Sequence, residues 1–171
     1  MTEHMNLNQQ LVLDTETDEK QFLTFMMDEE EYGIDILAVQ EIRGWEPVTV
    51  IPNSPPFVKG AMNLRGTIVP IIDLRQRFGI THIGYGPLTV VIVVSVSLKE
   101  QTKLMGIVVD AVSDVYSISE EKAKDVPDFQ DSDNAQFVHG LVNVGEKMVV
   151  LLNLKKVLDL HDKSCAKSNG G

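Results

Sequence analysis

The sequence predicts an all-β protein built as two packed β-barrels, and two observations carry that expectation. The first is an internal duplication. "FVKGAMNLRGTIVPIIDLRQRFG" at 57–79 returns 80 positions later as "FVHGLVNVGEKMVVLLNLKKVLD", and "YGIDILAVQEI" at 32–42 returns 73 positions later as "MGIVVDAVSDV". The second is that each half is a series of short runs rich in β-branched residues, cut by Gly, Pro and charged turn residues. Several short strands per half favour a sheet that closes on itself, because closure removes unpaired edges.

Each half opens with a strand, a charged turn and a second strand: "QFLTFMM" at 21–27 and "LTVVIVVSV" at 88–96 begin the two hairpins. In "IDILAVQEI" the residues Ile34, Leu37, Ala38 and Ile42 fit helical spacing while Ile34 and Ile36 alternate. The reading adopted is a strand, a one-turn interruption and a strand. "NLRGTIV" reads as two strands joined at a turn in which Gly66 takes positive φ and Arg65 projects into water. "GTIVPIIDL" and "KMVVLLNL" are strands, each followed by a basic stretch suited to a short helix. "GYGPLTV" at 84–90 is a linker between the halves. The matched pairs Gly60/Gly140 and Gly33/Gly106 are read as backbone positions at tight bends. Because the two blocks repeat at different offsets, the second half carries seven extra residues, which fall in "EKAKDVPDFQDSDNAQ" around Phe129. Residues 1–20 read as a disordered acidic arm and 161–171 as a flexible tail.

The chain has 171 residues and a net charge of −10, which disfavours a nucleic-acid or anionic-membrane footprint, since both need clustered Lys and Arg. Its longest apolar stretch, "LTVVIVVSVSL" at 88–98, is about half of the roughly 20 residues a spanning helix needs. It is read as a buried strand. "MTEHMNLNQQ" lacks the basic start and apolar run of a signal peptide, and the single Cys165 has no partner for an internal disulfide, so a cytoplasmic location is expected.

A catalyst should show a nucleophile with a base, or ligands able to converge. His4, His82, His139 and His161 have no metal-ligand spacing, Cys165 lies in a polar tail, and no phosphate-binding glycine loop is present. The duplication raises the idea of a twofold-related carboxylate dyad, as in an aspartyl hydrolase. Asp73 is the candidate, but its match is Asn153; Asp35 matches Val108. The expectation is no enzymatic activity, no metal and no cofactor, with a small aspartyl or metal-dependent hydrolase as the remote alternative.

Positions the two copies do not share are where roles can diverge. Arg65 and Gly66 occur only in the first copy, and Arg65 is either a solvated arginine or an interface anchor, a role its planar fork and apolar stem suit. Trp45, the only tryptophan, is read as core packing or a binding residue. Phe129, an aromatic amid Asp residues, either folds back on its own domain or anchors a partner.

On the runs "EEYGIDILAVQEIRG", "FVKGAMNLRGTIVPIIDLRQRFG" and "MGIVVDAVSDV", the sequence resembles the CheW coupling proteins of bacterial chemotaxis along residues 20–160. The resemblance implies two intertwined SH3-like five-stranded β-barrels, roughly 21–86 and 87–160, with short helical turns and a C-terminal helix. It implies a non-catalytic adaptor that couples the histidine kinase CheA, through its regulatory domain, to the cytoplasmic tips of methyl-accepting chemoreceptors, and so recruitment to receptor arrays at the inner membrane. A CheW-like adaptor of a non-chemotaxis pathway is the alternative. Carried over by position, the receptor-facing residues are Val39, Glu41, Gly60, Asn63, Arg65, Val90 and Val112. The kinase-facing residues are Ile42, Arg43, Ile68 and Phe129.

Overall fold

A computed structural model describes residues 19–81, 83–125 and 133–160. The strands are β1 (Glu19–Met27), β2 (Glu30–Asp35), β3 (Val39–Gly44), β4 (Val58–Leu64), β5 (Thr67–Asp73), β6 (Val90–Leu98), β7 (Gln101–Val109), β8 (Ala111–Ser119), β9 (Val138–Val144) and β10 (Lys147–Leu152). Short helices α1 (Leu74–Arg77) and α2 (Leu154–Val157) follow β5 and β10, where the basic stretches were expected to turn. Glu19 and Lys20, assigned from sequence to the arm, already belong to β1.

Three hairpins turn on two residues that both have positive φ: Asp28–Glu29, Arg65–Gly66 and Lys99–Glu100. That is the type I′ geometry, whose twist matches the strands it joins. Between β2 and β3 the chain makes a one-turn 3-10 segment, Ile36–Ala38, started by Asp35, whose Oδ1 accepts from the Leu37 N–H at 2.9 Å. The strand, interruption, strand reading of this stretch describes it well.

Two five-stranded sheets result. Sheet A has the order β8-β1-β2-β10-β9 and sheet B the order β3-β6-β7-β5-β4. The chain does not divide between them near residue 86. Sheet B is contiguous, residues 39–109, while sheet A takes both flanks. The exchange happens where β2 passes to β3 and β7 passes to β8, and parallel pairings of β10 on β2 and of β5 on β7 complete the sheets. Each sheet closes through an isolated bridge. Thr49, beyond β3, exchanges backbone bonds of 3.1 and 2.8 Å with Ala61 of β4, and Lys124, beyond β8, exchanges two of 2.8 Å with Leu141 of β9.

The matched glycines serve these junctions and are not the tight bends expected. Gly60 sits mid-strand at φ +149°, where a Cβ would overlap the Thr49 carbonyl; at Gly140 a Cβ would meet Ala123 Cβ at 3.0 Å. Gly33 and Gly106 lie where the parallel strands pair, opposite Leu151 and Ile71. A Cβ would there press on Leu151 (3.2 Å) or Val91 (2.9 Å).

Strand alternation sends one set of side chains into each sheet and the other into a shared core. Val91 and Val93 of β6 pack with Leu64, Val69, Ile71 and Val108 inside sheet B. Ile92, Val94 and Val96 turn the other way, against Phe25, Ile34, Ile72, Ile107 and Leu152 of both sheets. A strand buried on both faces must be apolar throughout, which accounts for "VVIVV". Inside sheet A the cluster is Phe22, Ile118, Val142, Val149 and Leu151. Where the halves meet, Arg77 donates from Nε to the Val157 carbonyl (3.0 Å), and its guanidinium lies between the rings of Phe57 (4.7 Å) and Phe137 (4.8 Å). Phe57/Phe137 and Arg77/Val157 are matched positions, so this stack marks the pseudo-twofold axis of the duplication.

Candidate protein-interaction surface

Closure of sheet B brings its two edges, β3 and β4, side by side. Arg65, in the β4–β5 turn at φ +50°, does not simply point into water: its Nη2 donates to Glu41 Oε1 of β3 at 2.8 Å. Arg43 Nη1 holds the other oxygen, Oε2, at 3.1 Å. The Arg65 hydrogen bond, against the opposing effect of partial burial and with the help of both charges, keeps the Glu41 carboxyl below its ordinary pKa. Asn63 supports the turn by accepting from the Gly66 N–H at 2.8 Å. Along the seam lies a cleft of about 270 Å³ lined by Arg43, Val48, Thr49, Ala61, Met62 and Asn63. Gly60 is buried under the seam, so its part is to let the edges approach.

Val39 follows the first exchange between sheets, and its match Val112 follows the second. Both, with Val90 at the start of β6, are half-buried against the shared core. Leu37, on the 3-10 turn just before Val39, is 83% exposed. The sequence marks the interruption here but gives no local sign of which of its side chains faces water. A fixed ion pair, apolar half-buried side chains and an exposed leucine are the materials of protein recognition.

The residues assigned to the kinase separate. Ile42 is 44% exposed and alternates with Glu41 and Arg43 along β3, whereas Arg43 joins the Glu41 cluster. Ile68 is 65% exposed and lines a second, apolar cleft of about 430 Å³ with Pro70, Leu104, Met105, Leu158 and Leu160. Phe129 lies outside the described residues, as does His82.

Asp73, the candidate for carboxylate chemistry, is fully buried and committed elsewhere. Its Oδ1 caps α1 by accepting from the Arg75 N–H (3.0 Å), as Asn153 Oδ1 caps α2 from Lys156 N–H (3.2 Å). The same carboxylate takes the fork of Arg75, Nε to Oδ1 and Nη2 to Oδ2, both 2.9 Å, and the Tyr85 hydroxyl at 2.8 Å. Burial alone would lower the Arg75 pKa, but Asp73 and Asp110 more than offset it and the guanidinium stays charged. Trp45 stacks on Tyr85 with centroids 4.5 Å apart and packs against the sheet B cluster. Arg75, Tyr85 and Asp110 were not singled out from sequence; the one available signal was that Arg75 matches a lysine, Lys155, across the duplication. Among the described residues no group of three or more His, Cys, Asp or Glu side chains could hold a metal ion, and no helix is long and apolar enough to cross a membrane.

A family model described as the CheW-like domain matches residues 21–162. The chain is 48% identical over 143 residues to a chemotaxis protein CheW of Klebsiella aerogenes, covering 84% of each. It is 33% identical over 137 residues to one of Treponema pallidum, covering 80% of this chain and 81% of that relative. Among solved structures, the scaffolding protein TtCheW of Thermoanaerobacter tengcongensis superposes with a TM-score of 0.72 at 34% identity, covering 84% of this chain and 90% of that one.

Proposed function

Since the chain belongs to the CheW-like family, we propose that it is a chemotaxis adaptor that couples the histidine kinase CheA to the cytoplasmic tips of methyl-accepting chemoreceptors, and is drawn to the inner membrane by that contact. The observation that carries this reading is the Glu41–Arg65 ion pair laid across the seam of sheet B. An exposed pair of this kind adds little to folding. What it does is hold a 74%-exposed guanidinium in one place, so that less side-chain freedom remains to be lost when a partner binds. The receptor surface is assigned to Glu41, Asn63 and Arg65 together with Val39, Val90 and Val112, with Gly60 shaping the seam. Ile42, Arg43, Ile68 and Phe129 are assigned to the kinase's regulatory domain.

The test is calorimetric titration of Arg65→Ala with a receptor tip fragment. Binding should weaken by roughly 2 kcal/mol, about thirtyfold, as for an interface hot spot. Unfolding free energy should stay within about 0.5 kcal/mol of the parent, as exposed substitutions usually leave it. Unchanged affinity would return Arg65 to the role of a solvated surface residue.

A further inference from the structure

We infer that Arg75 is a positioning residue that fixes the segment bearing Val90 relative to the segment bearing Val112, and so shapes the receptor surface from inside the molecule. The inference rests on the assignment of those valines proposed above. The Arg75 side chain is 2% exposed and reaches three separate parts of the chain. Its fork grips Asp73 at the end of β5 in sheet B. Its Nη1 donates to the Gly84 carbonyl of the linker (2.7 Å) and to Asp110 Oδ1 (2.9 Å).

Asp110 is the residue on which the chain passes from β7 of sheet B to β8 of sheet A. It is tied to sheet A as well: its Oδ2 accepts from the Asp28 N–H (2.8 Å) in the β1–β2 turn, and its own N–H donates to the Met26 carbonyl (3.0 Å). Val112 stands two residues further on. The linker is held just as firmly, by the Tyr85 hydroxyl on Asp73, the Gly86 N–H on Thr89 Oγ1 (2.9 Å), and the Trp45 N–H on the Thr89 carbonyl (3.0 Å). Val90 follows immediately.

Capping α1 requires only Asp73, as Asn153 shows at α2. The bonds to Gly84 and Asp110 serve neither helix; they join the two segments that carry the valines. A lysine could not replace this arginine, because the planar fork on Asp73 leaves a donor aimed at a second carboxylate. The matched Lys155 is exposed, on a helix with no linker beside it.

The test uses the full chain with Cys165→Ser and spin labels at Ser97→Cys in sheet B and Lys147→Cys in sheet A, with and without Asp110→Ala. Tyr85→Phe is a milder variant in case Asp110→Ala folds poorly. Both should broaden the label-to-label distance distribution by pulsed electron resonance. Asp110→Ala should weaken binding of the receptor tip fragment about tenfold, and Tyr85→Phe about twofold, the range of coupling through a shared network. Affinity for the kinase regulatory domain should not move. An unchanged distance distribution in both variants would overturn the inference. A broadened distribution with unchanged receptor affinity would leave Arg75's positioning intact and overturn the placement of the receptor surface. Equal losses for receptor and kinase would mean a general structural role and also overturn the inference.

Discussion

At matched positions 80 residues apart, the first half holds Asp73, Arg75 and Arg77 where the second holds Asn153, Lys155 and Val157. Both halves build the same strand, cap and short helix, so these charges are not needed to make the fold. They are needed because the halves are joined only once. The linker leaves from α1, and only α1 must hold it; Arg75 does so, and Arg77 crosses the pseudo-twofold axis to the other half's Val157. The surface differs in the same sense. Arg65 and Gly66 face Gly145 and Glu146 in the comparison, while exposed apolar residues stay matched: Ile42 (44%) with Val115 (43%), and Ile68 (65%) with Met148 (53%). Two copies of one backbone thus keep their apolar faces in common and put their arginines in one copy.

Substitutions at matched residues test this contrast. The largest effect is expected at the glycines under the seams. Gly60→Ala places a Cβ on the Thr49 carbonyl at a φ that side chains avoid, and should cost about 3–5 kcal/mol in urea unfolding. Gly140→Ala meets only Ala123 and Lys124 at 3.0 Å or more and should cost about 1 kcal/mol. Equal losses would mean that the two closures are equivalent after all. Next, Asp73→Asn gives the first half the second half's cap and leaves the fork of Arg75 on a neutral side chain, with Asp110 its remaining carboxylate; a loss of about 3 kcal/mol is expected, against less than about 0.5 kcal/mol for Asn153→Asp.

A third substitution should act in the opposite direction. Glu31 is 5% exposed, and neither carboxylate oxygen has a hydrogen-bond partner among the described residues. Counting from the matched Gly33 and Gly106, the second half places Leu104 there. Glu31→Leu should stabilise the protein by about 1–3 kcal/mol, because an uncompensated buried carboxylate is removed. A loss of stability would show that Glu31 has a partner.

The smallest effect is a pH dependence. Burial first, and the hydrogen bond to Asp73 second, push the Tyr85 hydroxyl up to about 12 from 10.0. The folded state thus favours the neutral phenol. Its contribution is fully present below about pH 10 and is lost as pH rises through about 12. Trp45, stacked on that ring, reports the change, because tyrosinate quenches indole fluorescence. The midpoint should lie near 12 in the parent and the step should vanish in Tyr85→Phe. A midpoint near 10 would mean that neither the burial of the ring nor the bond to Asp73 is kept in solution.

Much of the fold was legible because its cues are local. β-branched runs, charged two-residue turns and the interruption at Ile36–Ala38 are written within a few residues of where they act. The exchange of strands came only with the resemblance, which implied intertwined barrels, since nothing near Glu31 tells of Val149. The glycines were recognised as backbone positions but misread as bends, because a mid-strand approach by a distant segment leaves the same signature as a turn. Arg65 was placed at a turn, yet its positive φ went unseen, as type I′ turns favour Asn, Asp and Gly. The resemblance named Glu41 and Arg65 together without the ion pair between them. Arg75 was invisible: "DLRQRF" reads only as a basic stretch suited to a short helix, and the tertiary positions of Gly84 and Asp110 are what bury it.

The nesting of one sheet within the other also fixes an order of events at the ribosome. Every strand of sheet B has been made once Val109 emerges, whereas β2 of sheet A waits for β10, whose Val149 pairs with Glu31 from 118 positions away. Through that interval β1 and β2 present an unpaired edge to the cell, the kind of surface that draws aggregation and chaperones. Long-range parallel pairing is also slow to form. The half of the molecule that carries Arg65 can therefore be finished early, and the vulnerable step in making this protein is the late arrival of a single C-terminal strand.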